Sequence, residues 1–296
     1  MRSAWFSLPS LPRHKRVQPV LYALVTLLSL LCSVSLYAVY ALLHDRSAAS
    51  FPIFSSRTIT AQQLLDAYHP LDNAEQLESR LNHTCRVTLP DTEQLTRFRK
   101  LYPSLSRFIM YFNVHLLLEE HTKHVLPSQP LQALQLGGSF SVFQNFEDKL
   151  NISETQYPQV DIHRTNLPSN SYDIIGADQV IEHVLFPQLA IMEIHRLLRP
   201  DGIAILTTCA YNPVHGKTAF LDFWRFMRDG LMVLSLPFRG GVLQCGTWGT
   251  SKMVSTRAKY YYNSSYEKKL FGEMFESEVR VNDLDNPFQS WIVLRK

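Results

Sequence analysis

The sequence predicts an α/β protein built on a doubly wound, mostly parallel sheet. Three observations carry this expectation. Residues 160–206 read in succession as strand, turn, strand, helix, turn and strand. Upstream, the apolar run Leu131–Leu136 ends in Gly137-Gly138. After residue 266 a helix-length segment and further apolar runs close the chain. A strand–helix–strand unit of the middle length makes a right-handed crossover between parallel strands, and such sheets hold their ligands at the carboxyl ends of the strands.

In chain order, Val20–Leu43 contains no charged residue and is long enough to cross a bilayer as one helix. Arg2, Arg13, Lys15 and Arg16 precede it and almost no basic residues follow directly. The positive-inside rule then keeps residues 1–19 in the cytosol and makes residues 20–43 a type II, single-pass signal anchor, with the remainder in the lumen of the secretory pathway. A cleaved signal peptide is the alternative, although its apolar region and preceding tail would both be shorter. Residues 44–129 form a stem and helical extension. Ser47–Thr60 is polar and rich in small residues, Ala61–Tyr68 and Leu71–Leu81 have helical spacing, and Leu101–Val125 reads as one longer helix. Its aromatic and leucine positions face inward, either packed on the sheet or leaning over the ligand site.

Residues 130–296 form the α/β domain. Asn170-Ser171 closes a turn ahead of the strand Tyr172–Ala177, and Pro187 suits the first turn of a helix. Arg199-Pro200-Asp201-Gly202 ends that helix, with Gly202 free to adopt a positive φ, and Ile203–Thr208 resumes a buried strand. Gly240-Gly241 to Trp248-Gly249 reads as a glycine-rich loop, either a mobile cover or a surface insertion whose aromatics pack locally. Tyr266–Phe275 reads as a helix, and Glu278–Asn282 and Ser290–Leu294 as two strands.

The formal charge of +3 over 296 residues gives no case for nucleic-acid binding. Sequons stand at Asn82, Asn151 and Asn263, as a lumenal domain allows. Cys32 falls in the anchor, which leaves Cys85, Cys209 and Cys245 for the lumen. At most one internal disulfide can form among them, and their spacing matches no zinc pattern. Cys209, at the end of a core strand, reads as a small buried residue.

The middle of the chain also carries a resemblance. Leu167-Pro168, Ser171-Tyr172-Asp173-Ile174-Ile175, Ile181-Glu182-His183-Val184 and Glu193-Ile194-His195-Arg196-Leu197-Leu198-Arg199-Pro200-Asp201-Gly202 stand in the order and spacing of a known pattern. The stretch resembles the class I S-adenosylmethionine-dependent methyltransferases of the type 11 kind. Asp222-Phe223-Trp224-Arg225-Phe226 is similar to a segment of one branch of that family, where an acceptor lid would lie. The resemblance implies a seven-stranded sheet with an antiparallel last strand, S-adenosyl-L-methionine as cofactor, and an unspecified acceptor hydroxyl on a glycan, lipid or small molecule.

It also implies site residues. Gln135, at the usually acidic position, and Gly137-Gly138 would lie at the methionyl part of the cofactor. Either Glu147 or Asp148 would supply a ribose carboxylate and Asp161 would serve the adenine, or the pocket is truncated here. Asp178 and Gln179 follow the next strand and face the donor. Glu182 and His183 are the candidate catalytic pair, with His183 as general base. In some relatives an E-x-x-E-H arrangement holds a divalent cation at the positions of Gln179, Glu182 and His183. The glutamine weakens such a set, so no metal is expected. The glycine turn departs from the family's G-x-G-x-G after Gly138, so an inert, scaffold-like methyltransferase domain is the alternative function.

Overall fold

The computed structural model describes Gln63 and residues 85–216, 220–260 and 263–296, which fall in one compact unit, Ile59–Lys296. The expected anchor at Val20–Leu43, the stem, Asn82, the helix at Leu71–Leu81 and, apart from Gln63, that at Ala61–Tyr68 lie outside the described residues. Among the described residues no helix is long and apolar enough to cross a membrane.

Helix α1 (Thr92–Leu101) starts at a capping box: the Asp91 side chain accepts from Gln94 N, and the Gln94 side chain accepts from Asp91 N. Pro103 then breaks the single helix expected over Leu101–Val125, because proline lacks an N–H and disfavours helical backbone before it. Helix α2 (Leu105–His121) begins beyond that break. The domain continues with β1 (Leu131–Leu136), a 3-10 turn (Phe143–Phe146), β2 (Leu150–Thr155), β3 (Tyr172–Asp178) and a second 3-10 turn (Ile181–His183). It closes with α3 (Pro187–Leu197), β4 (Leu198–Cys209), α4 (Arg228–Leu234), β5 (Val242–Trp248), α5 (Ser251–Tyr260), α6 (Ser264–Glu278) and β6 (Gln289–Arg295).

The sheet order is β2-β1-β3-β4-β6-β5. The first four strands are parallel, and β6 runs antiparallel to both β4 and β5. Among the described residues the sheet has six strands, where seven were expected. Between β2 and β3 the chain makes only the isolated bridge Asp161↔Arg164. That stretch is too short to add a strand together with its crossover helix.

Three further expectations change. The glycine-rich stretch around Val242–Trp248 is the strand β5, not a mobile cover. Gly246 is required there because a Cβ would lie 2.3 Å from Trp291 Cζ2 on β6. The strand expected at Glu278–Asn282 is the end of α6 and a turn. In the turn before Ile203 the positive φ belongs to Asp201 (63°), while Gly202 serves close approach: its Cβ would lie 3.0 Å from Arg199 O.

Strand alternation divides the core between the two faces of the sheet. Ala133, Ile174, Ile203, Ile205 and Val293 pack with α1, α2 and α6 on one face. Leu134, Ile175, Ala204, Leu206 and Ile292 pack with α3 and α4 on the other. The family-like Glu193 and Arg196 of α3 have a structural role. Glu193 accepts from Thr165 N and Oγ1 at 2.8 and 2.7 Å, and Arg196 binds Glu193, Leu167 O and Ser169 Oγ, which fixes the loop before β3. Cys85 is joined to Cys245 by a disulfide that ties the approach to α1 onto β5, and Cys209 is the free, buried cysteine among the described residues.

Candidate active site

The carboxyl ends of β1, β3 and β4 gather the candidate residues. Beyond β1, Gly137 (φ 80°) and Gly138 (φ 115°) take left-handed backbone, and both N–H groups donate to Thr155 O at the tip of β2, at 2.9 and 3.1 Å. Their surroundings differ. A Cβ on Gly137 would lie 2.6 Å from Val180 Cγ2, whereas one on Gly138 would meet only Gln156 Nε2, at 4.0 Å. Val180 therefore blocks the Cβ direction of Gly137, which is itself exposed, whereas the Cβ direction of Gly138 is open. The buried Gln135 braces this turn from within, its Oε1 accepting from Phe140 N at 2.5 Å.

Glu147 and Asp148 precede β2, which runs parallel to β1. They therefore lie at the amino end of the sheet, opposite the glycine turn, and the expectation that one of them binds ribose there is corrected. Glu154, in register with Gln135, stands at the proper end, exposed, and accepts from Gln156 Nε2 at 3.0 Å. Asp161 Oδ1 meets His163 N at 2.9 Å and His163 Nδ1 at 2.6 Å. Burial works to raise the Asp161 carboxyl, but these bonds hold it below its ordinary range.

At the end of β3, Asp178 is fully engaged. Its Oδ2 accepts from Arg107 Nη1 (2.7 Å) and Tyr111 Oη (2.6 Å) on α2, and its Oδ1 from Thr207 Oγ1 (2.5 Å) on β4. Burial opposes the Arg107 charge, yet Asp178 and Tyr111 hold its pKa above the ordinary value. Burial, with Asp178 beside it, raises the Tyr111 hydroxyl well above its ordinary range. Helix α2 is thus both a core helix and one wall of the site. Gln179 adopts φ 55°, donates through Nε2 to Gln289 Oε1 at 3.1 Å, and so spans from β3 to β6.

Glu182 and His183 sit on the 3-10 turn after β3. Glu182 is fully buried: its Oε2 accepts from Thr208 Oγ1 at 2.8 Å, and its Oε1 has no hydrogen-bond partner. Burial pushes its pKa up to about 7. His183 Nδ1 lies 2.7 Å from Leu221 O. A carbonyl only accepts, so Nδ1 holds the ring proton and Nε2 is the bare nitrogen. Burial lowers the His183 pKa, which keeps the ring neutral near pH 7. The segment after β4 docks over this turn, with Phe223 N and Trp224 N donating to Glu182 O and Trp224 Nε1 to Val184 O at 2.8 Å. Asp222 within it receives Arg225 Nη1 and Nη2 at 2.5 and 2.6 Å and meets His215 Nδ1 at 3.2 Å. Burial works to raise the Asp222 carboxyl, and the Arg225 bonds bring it below its ordinary value.

The donor implied by the resemblance fits this arrangement at one end. Gly138 leaves a backbone turn that a side chain would fill, flanked by Glu154 and Gln156, a carboxylate and a carboxamide able to bind ribose hydroxyls. Sequence reasoning missed Glu154, Arg107, Tyr111 and His215. The spacing of Arg107 and Tyr111, one helical turn apart and aimed at one carboxylate, was the available signal.

Residues 131–206 match a family model described as a methyltransferase domain. No curated protein sequence matches the chain. Solved structures similar to it include the [4+2]-cyclase SpnF (17% identity, 80% of this chain and 97% of that one, TM-score 0.40). Geranyl diphosphate C-methyltransferase from Streptomyces coelicolor A3(2) aligns at 12% identity over 79% of this chain and 96% of its own, TM-score 0.39. A phosphoethanolamine N-methyltransferase of Haemonchus contortus aligns at 10% identity over 71% and 60%, TM-score 0.39. Structural likeness at such identities and scores carries no weight beside the family match, whose span runs from β1 into β4 and takes in both the glycine turn and the Glu182-His183 turn. Residues 131–206 of this chain are therefore similar to a methyltransferase domain.

Proposed function

We propose that this chain is a membrane-anchored methyltransferase of the secretory pathway that acts on a hydroxyl of an acceptor with an apolar body. One observation supports it above the others. Val180, which touches Gly137, begins the turn that presents His183 with Nε2 bare, so a donor cradle and a base occupy the same end of the sheet. S-adenosyl-L-methionine, when bound, supplies the sulfonium methyl group. Gly138, Glu154 and Gln156 would hold its ribose end. Asp178 clamps α2 through Arg107 and Tyr111 and so fixes one wall. His183 Nε2 takes the acceptor's hydroxyl proton as the oxygen gains its methyl group. Positioning of donor and acceptor supplies most of the acceleration.

The surface beside His183 supports the acceptor class. The Phe220 ring centroid lies 4.4 Å from that of His183, and the segment after β4 that carries Phe220 also exposes Tyr211, Val214, Leu221 and Trp224. Apolar exposure on this scale suits a lipid-like acceptor better than a glycan. The Cys85–Cys245 disulfide supports an oxidising compartment, and Asn151 and Asn263 are exposed sequon residues. The anchor at Val20–Leu43 supplies the membrane.

The test uses the full-length chain in detergent with a methyl-labelled donor and separated lipid, glycan and small-molecule fractions. Label should enter an apolar, hydroxyl-bearing fraction, and His183→Ala should stop it while donor binding persists. Donor binding without label in any fraction would contradict the proposal and favour an inert domain. Expressed in cells, Asn263 should carry an endoglycosidase-sensitive glycan, and its absence would refute the lumenal placement.

A further inference from the structure

The buried side of the Glu182 turn holds a group of donors that the methyl-transfer reading does not use. Glu182, Cys209 and His215 each present a ligand atom, and these atoms lie within 4.8 Å of one another. They come from three different places: the turn after β3, the last residue of β4 and the loop that follows it. Their own partners leave the ligand atoms available. Thr208 Oγ1 binds Glu182 Oε2 at 2.8 Å, and Glu182 Oε1 is buried without any hydrogen bond. Cys209 is a buried free thiol. His215 Nδ1 lies 3.2 Å from two acceptors, Asp222 Oδ2 and Pro213 O, and 3.3 and 3.5 Å from two donors, Asn212 Nδ2 and Arg225 Nη2; the two shorter contacts place the proton on Nδ1 and leave Nε2 bare.

We propose that Glu182, Cys209 and His215 form a binding site for a divalent transition-metal ion of the zinc class. Four physical arguments support it. A carboxylate, a thiolate and an imidazole form the mixed oxygen, sulfur and nitrogen set that zinc prefers and that magnesium or calcium does not. Metal–ligand bonds of about 2.0–2.3 Å in a tetrahedron need donors roughly 3.5 Å apart, so donors within 4.8 Å of one another close by at most about 1.3 Å. Two ligands are already oriented: Thr208 holds the carboxylate, and Asp222 holds the imidazole as in a carboxylate–histidine–metal arrangement. The two anionic ligands together neutralise a dication, which resolves an otherwise uncompensated buried oxygen.

The neighbouring set His183, His215 and Asp222 is a poorer candidate. There Asp222 is engaged by both Arg225 nitrogens, and His183 Nδ1 by Leu221 O. In the absence of metal, burial holds the Cys209 thiol up at about 12, so it is protonated at neutral pH, and Glu182 at about 7, so it is about half protonated; metal uptake would release those protons. Three protein ligands leave a fourth position open, as in catalytic rather than closed structural sites. His183 Nε2 lies 4.0 Å from Glu182 Oε1, so the second candidate imidazole borders the same carboxylate. The metal's use there, to acidify an acceptor hydroxyl, rests on the methyltransferase reading, but its binding does not.

Cobalt(II) alone, titrated into the chelator-treated full-length chain without reductant, tests the site. One equivalent should give a near-ultraviolet thiolate-to-cobalt band and intense visible bands of tetrahedral geometry, both erased by zinc(II). Cys209→Ser should lose the near-ultraviolet band, and His215→Gln should weaken binding at least tenfold. Absence of the spectrum in the parent, its persistence in folded Cys209→Ser, or unchanged affinity in His215→Gln would overturn the proposal. If Cys209→Ser fails to fold, the His215 variant, whose ring is partly exposed, decides the matter. A Gly138→Val chain separates the two readings, because it should lose S-adenosylmethionine binding and keep cobalt. Donor binding without cobalt uptake in the parent refutes the metal site alone, and cobalt uptake without donor binding refutes the donor site alone.

Discussion

Glu182→Gln isolates the energetic consequence of burying a carboxyl at the candidate site. Glutamine keeps the shape and an oxygen for Thr208 Oγ1, and removes the ionisable group. In the folded chain, burial pushes the Glu182 pKa from its ordinary 4.5 up to about 7. Between those values the folded state binds a proton that the unfolded state releases, so stability falls as pH rises. The contribution is fully present below about pH 4.5 and lost by the time pH passes about 7. At about 1.4 kcal/mol for each pH unit, the loss amounts to roughly 3 kcal/mol. The assay is urea unfolding of parent and variant, with chelator present, from about pH 4 to pH 8. Taking the difference between the two chains cancels the titration of all other groups. The variant should gain roughly 3 kcal/mol on the parent across that range. Parallel curves would refute the claim that Glu182 is buried without a cation, as would a variant less stable than the parent at pH 8.

Other perturbations follow from the same geometry. Gly138→Val should reduce S-adenosylmethionine affinity at least tenfold, about 1.4 kcal/mol, and retained affinity in a folded variant would show that the donor does not lie there. Gly137→Ala should instead lower thermal stability by about 1–3 kcal/mol, since its Cβ would meet Val180 Cγ2 at 2.6 Å, and an unchanged melting temperature would count against that packing. The methyl-transfer rate should be flat from pH 8 down to pH 6.5 and fall only below that, because burial depresses the His183 pKa and Nε2 must be unprotonated; a fall centred above pH 7 would exclude His183 as the base. Cys245→Ser should cost about 2–4 kcal/mol through loss of the bond to Cys85, and thiol labelling of the unfolded, unreduced parent at either residue would contradict that pairing.

What was legible in the sequence follows from how each element announces itself. β1, β3 and α3 were readable because apolar runs were bounded by residues with fixed backbone roles: the glycines at 137 and 138, Asn170 at φ 51°, and Pro187 in the first turn of its helix. β5 was not, because Gly246 reads as loop composition, whereas its function is to admit the Trp291 ring from a strand distant in sequence. The same limit applied to the site. Glu182 and His183 were visible through a local motif, while Cys209 and His215 join them only through the β3–β4 pairing and the loop beyond it. The ribose carboxylate was sought in Glu147 or Asp148, and the parallel register of β1 with β2 points to Glu154 instead. The disulfide partner of Cys245 was open among three cysteines until the fold brought Cys85 to β5.

The central claim is that the turn at Gly138 still receives a methyl donor despite its shortened glycine pattern. Calorimetric titration of the full-length chain with S-adenosyl-L-methionine tests it most directly. The account predicts saturable one-to-one binding that Gly138→Val abolishes and His183→Ala leaves intact. No heat of binding to the folded parent, or equal binding to the Gly138 variant, would contradict it.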